Sequence, residues 1–250
     1  MREDSKLLKA VSALTSHVDG IDWDAAAVQA DVDRMLEVVK QASASARAEA
    51  LAVLVERLRR ARLDDADGVA HAAISAGTLV EYGAPAEPLA NVLLDKLPAV
   101  LAAARRYADA CLADLPPLGD NEEDDPASAL VVIDGRGITL DVFRSHLDAD
   151  RAGAGALHGL NQWALAAIAS LTRSRAALVR ACANDELRRL ARAMADSDAM
   201  WLDTLFGVEL DARWLVLCPL VERGFRISVD GIASNFELHT LVADTLIAQG

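Results

Sequence analysis

The chain has 250 residues, enough for one large domain or two modest ones with a proper core. Hydrophobic residues make up 53% of it, which excludes a disordered chain, and a formal net charge of -13 disfavours general binding to phosphate backbones. Alanine is abundant and aromatics are only 4%, a composition that favours closely packed helices.

The charge is uneven. Residues 1–125 carry 13 Lys and Arg against 23 Asp and Glu, a net -10, while the remainder is near balance at -3. Such an excess suits a basic partner as well as solubility. Cys111, Cys182 and Cys218 show no paired or zinc-type spacing. They read as reduced, mostly buried thiols of a cytoplasmic protein, with no structural metal and no cofactor expected. No secretory leader is evident in the opening residues, and no apolar run is long enough for a membrane span.

The first 116 residues read as helices throughout. Leu7, Val11, Leu14 and Val18 share a face that ends at Gly20. Asp24 can cap a second helix through Val28, Val32, Met35 and Val39. A third spans Ala46–Arg62 around Leu51, Leu54, Val55 and Leu58, and Asp67 opens a fourth that ends near Gly83. Pro88 suits the start of a fifth helix, and Pro98 should kink or split it. The predicted fold here is an antiparallel helical array, either a hairpin stack or a bundle.

Pro116 to Pro126 encloses Asp120-Asn-Glu-Glu-Asp-Asp125 and reads as a solvated linker. The predicted division is a helical domain over 1–116, an acidic linker over 117–127 and a helix-rich α+β domain over 128–250. Ala129–Ile133 reads as a strand. Residues 138–142 alternate, which admits a hairpin across Asp134-Gly135, but Thr139 is also a good N-cap. The reading adopted is strand followed by helix. Arg151-Ala-Gly-Ala-Gly155 reads as a break and a flexible joint, followed by a long helix from Leu157 to Cys182. Asn184 can cap the next helix, and Gly207 should end the one carrying Trp201, Leu202, Leu205 and Phe206. Seven of the ten aromatics follow residue 140, so the larger core is expected in the second half. The chain should close with strands 214–218 and 225–229 and a capped helix from Ser234.

No catalytic signature stands out. Gly153-x-Gly155-x-x-x-Gly159 lacks the buried strand that a phosphate-binding glycine loop needs before it. Asp134 to Phe143 lacks the upstream oxygen ligands of a calcium loop. Cys218 and His239 are the sole thiol–imidazole candidates, and the apolar run around Cys218 fits a structural thiol better. Two arginine groups, 57/59/60/62 and 188/189/192, read as helix-end charges.

The expected function is a non-catalytic cytoplasmic interaction, adaptor or regulatory module. Its acidic helical half would dock a basic protein rather than nucleic acid or a membrane. An enzyme using Cys218 and His239, or a small-molecule sensor with an apolar interhelical pocket, are the alternatives.

Overall fold

The computed structural model describes residues 2–17, 25–115, 129–197, 199–218 and 223–230. Among them the chain is mainly α, with 11 helices and two short antiparallel strand pairs. The apolar spacing places α1 at Arg2–His17, α2 at Ala25–Val39 and α3 at Ala44–Arg60. Ser43 caps α3 by accepting from the Ala46 N–H, and its own N–H donates to Asp4 of α1 at 2.7 Å. A 3-10 turn, Leu63–Asp65, leads into α4 at Ala66–Glu81, so the helix opens at Asp65 rather than Asp67. The expected caps at Asp24 and Ser234, and the closing helix, lie outside the described residues.

Helix α5 is a single run of 28 residues, Ala86–Ala113. Pro98 neither ends it nor divides it, so the expected split does not occur. Pro88 falls in the first turn, where N–H groups have no intrahelical partner in any case. Leu89, Leu93, Leu97, Leu101, Ala104, Tyr107 and Cys111 form a buried stripe along its length. That stripe holds α5 in the core across the proline.

The second half begins with a hairpin, β1 (Ala129–Ile133) and β2 (Arg136–Thr139). Asp134 and Gly135 both take positive φ, 51° and 72°, which is the two-residue turn that matches strand twist. Thr139 then caps the short helix α6, Leu140–Ser145. The alternation and the cap were therefore both real signals, and strand, turn, strand and helix follow within seventeen residues.

The expected flexible joint is helix α7, Arg151–His158. Asp150 caps it by accepting from the Gly153 N–H at 2.9 Å. A Cβ on Gly153 would stand 2.8 Å from the Cβ of Tyr107, so glycine here permits α7 to lie directly on α5. The expected long helix is divided into α8 (Leu160–Leu171) and α9 (Arg175–Cys182). Helices α10 (Asp185–Arg192, capped by Asn184) and α11 (Met200–Phe206, ending at Gly207) follow, then β3 (Ala212–Cys218) and β4 (Arg223–Val229).

One buried apolar cluster runs from Leu7 to Phe206. Helix α4 packs on α8, and α5 packs on α7, α8 and α10 as well as on α3. The α4–α8 contact is close because both sides are small: a Cβ on Gly77 would meet the Ala166 Cα at 3.0 Å. The linker at 117–127 lies outside the described residues, but the helices before and after it share this core. Among the described residues, the larger part of the buried apolar set lies in α1–α5. Trp201 is 56% exposed, while alanines fill the helix contacts.

Candidate functional site

Cys218 closes β3, but its side chain and the whole of His239 lie outside the described residues. Three other groups of chemistry-bearing side chains are described, and two of them are used up in holding the fold.

The first surrounds the C-terminal end of α5. Tyr107 is buried and its hydroxyl donates to the Phe143 carbonyl. Its ring meets Phe143 edge-on at 5.0 Å and His146 at 6.3 Å. His146 Nε2 lies 3.0 Å from Asp114 Oδ2, and Arg106 pairs with the capping Asp150 at 2.9 Å. Cys111 is one turn from Tyr107 and fully buried. Burial first, and the Asp114 carboxylate second, push its thiol up to about 11. A thiol in that setting stays protonated and is a poor nucleophile. Tyr107 is likewise pushed up to about 12, mainly by burial. The cluster joins α5, α6 and α7 and has no activated group.

The same end of α5 carries Arg105. Its guanidinium donates to both oxygens of Asp134 at 3.0 and 2.6 Å, to Asp109 at 2.8 Å and to the Ala193 carbonyl at 2.7 Å. Hydrogen bonding from Arg105 holds the Asp134 carboxyl below its ordinary range. Both Asp134 oxygens are thereby occupied, so the segment that superficially resembles half a calcium loop is a fastener for the β1–β2 turn.

The second group was not found in the sequence. Asp31 is fully buried, with His17 Nδ1 at 2.6 Å on one oxygen and Arg34 on the other. The available signal was position: Asp31 falls on the apolar stripe of α2 between Val28 and Met35. A buried carboxylate that fixes one ring nitrogen orients the imidazole. Among the described residues, His17 hydrogen-bonds to Asp31 alone, and no hydroxyl or thiol completes a nucleophilic arrangement. No three His, Cys, Asp or Glu side chains among the described residues converge as a metal site would require.

The third group is on the surface. The arginines flagged by sequence are paired: Glu56 serves Arg59 at 2.5 Å and Arg60 at 2.7 Å, and Glu186 serves Arg189 at 2.8 Å. Several acids are not. Glu37, Glu49, Glu81, Glu87 and Asp95 are exposed and make no ion pair among the described residues. Glu37 lies in the last turn of α2 and Glu81 is the last residue of α4. A negative charge there opposes the helix dipole. The nearby Lys40 ammonium sits over the Tyr82 ring at 5.8 Å and makes no ion pair with either carboxylate among the described residues. Exposed aliphatic residues accompany the acids: Leu36 beside Glu37, at 42% exposure, and Val53 one turn from Glu49, at 41%. No known protein family, no characterised protein and no solved structure matches the chain.

Proposed function

We propose that the protein is an interaction module whose acidic helical face, on α2, α3 and the junction of α4 with α5, docks a basic protein. The observation behind this is the placement of Glu37 and Glu81. Both stand at helix C-termini, exposed and without an ion-pair partner among the described residues, where each costs about 0.3–1 kcal/mol. Stability alone favours neutral or basic residues at these positions. A cationic partner would turn the same charges into favourable contacts, with Leu36 and Val53 supplying apolar anchors beside them. The partner would be a protein surface carrying Lys or Arg around an apolar patch.

The test separates stability from binding. Glu37→Gln with Glu81→Gln should raise the melting temperature of the free protein slightly. The same variant should lose partners that carbodiimide coupling joins to wild-type Glu37 or Glu81 through lysine. Wild-type capture should also fall steeply with added salt, because exposed charges act over roughly 8 Å at physiological ionic strength. Capture unchanged by the double variant and by salt would refute the reading.

A further inference from the structure

The β3–β4 hairpin carries the two most exposed large hydrophobic residues described, Leu215 at 63% and Leu217 at 68%. Register explains why they stand bare. Leu215 lies opposite Arg226, and Leu217 lies opposite Gly224, which has no side chain to cover it. The hairpin is nevertheless fixed. At its base Arg175 of α9 bridges Asp211 at 2.8 Å and Asp230 at 2.7 Å, and the Asp211 N–H donates to Asp230.

A two-stranded ribbon leaves one ladder of N–H and C=O groups unpaired on each strand. Among the described residues the sheet stops at two strands, so the outer edges of β3 and β4 both lack a partner strand. The edges differ. β4 carries Arg226 in its middle, and a charge at an edge discourages strand addition. β3 has a single charge, Arg213, next to its beginning, and then runs Trp-Leu-Val-Leu-Cys with no proline, lysine or glycine. A five-residue apolar run, Trp214 to Cys218, without such protection is a template for another strand.

We infer that β3 pairs antiparallel with β3 of a second copy of this chain, closing a two-fold dimer with a four-stranded sheet. The sequence of β3 is self-complementary in that arrangement. Pairing centred on Val216 sets each Leu215 opposite the other copy's Leu217 and keeps the two arginines from facing each other. The contact is isologous, so it stops at a dimer. It also gives the ribbon the additional strands that a two-stranded hairpin needs for independent stability. Strand addition alone is smaller than a standard interface, so the dimer should be weak and concentration-dependent. This surface is separate from the acidic face, and neither reading depends on the other.

Sedimentation velocity of the full chain tests it. The weight-average mass should rise with concentration from 26.5 kDa towards twice that value. Leu215→Lys with Leu217→Lys should remove the rise while leaving the circular dichroism spectrum and melting curve in place, and Glu37→Gln with Glu81→Gln should dimerise as wild type does. Hydrogen exchange on the wild type gives a second measurement should the lysine variant fail to fold: amides of β3 should gain protection as concentration rises. A monomer at every concentration overturns the proposal, including one whose β3 amides are protected regardless of concentration because residues 231–250 cover them. So does a dimer that survives both lysines in a folded variant.

Discussion

A methyl group on Gly153 would stand 2.5 Å from Asp150 Oδ2 and 2.8 Å from the Tyr107 Cβ. Gly153→Ala should therefore lose about 1–3 kcal/mol in denaturant unfolding, although alanine favours a helix by about 1 kcal/mol elsewhere. Tyr107 and Cys111 carry a pH signature. Burial raises both above their ordinary values of 10.0 and 9.0, to about 12 and about 11. The folded state thus keeps protons that the unfolded chain gives up first. Their contribution is complete below pH 9, erodes as pH rises, and is lost through about pH 11–12. Alkaline unfolding of the wild type should be shallower in Tyr107→Phe with Cys111→Ala, and an unchanged alkaline limb would count against it. At this scale the sequence was legible where one residue type has one use. Asn184 and Thr139 were read as caps and are caps, accepting from Leu187 and Val142. Asp31 stands on the apolar stripe of α2, but its full burial depends on α1 lying across α2, and residue spacing does not give that crossing.

Elements reveal what propensity alone misjudges. Pro98 withholds a backbone donor inside α5, and an interior proline typically costs about 3 kcal/mol. The helix continues because apolar burial on both sides of Pro98 outweighs that cost, so Pro98→Ala should raise the melting temperature. A fall would show that the proline ring packs favourably where it sits. The β1–β2 turn makes the converse case. Asp134 holds a positive φ that non-glycine residues rarely adopt, and Arg105 fixes its carboxylate from α5. The stability that Asp134 gains from a lowered pKa is present above its ordinary value of 3.8 and disappears as pH falls through the folded value. Arg105→Met should flatten that acid limb in pH-dependent unfolding; an acid limb identical to wild type would mean the pair is idle. The turn itself was legible from Asp134-Gly135. Its anchor was not, since Arg105 and Asp134 are 29 residues apart.

For the whole molecule, helix content and the mainly α class followed from apolar periodicity, which is a local signal. The sharing of one core across the acidic segment was hidden, because which alanine face meets which is decided by shape and not by spacing. This changes what proteolysis should show. Cleavage within 117–127 remains the expected first cut, since a polar, proline-bracketed stretch has little apolar area to bury. The two fragments should still elute together under native conditions, because α4 and α5 pack on α7 and α8. Separation requires denaturant. Fragments that part on nicking would show that each half folds around its own core.

That shared packing also imposes a timetable. Helices α4 and α5 are complete once Ala113 has been added, yet the α8 surface that covers them ends at Leu171, 58 residues later. At about 5–20 residues per second, translation needs roughly 3–12 s to supply it. For that interval the emerging chain presents small-residue and leucine faces to solvent. A nascent chain halted once α5, but not α8, has cleared the exit tunnel should be caught by hydrophobic-surface chaperones, and one halted after α11 has cleared it should be released from them.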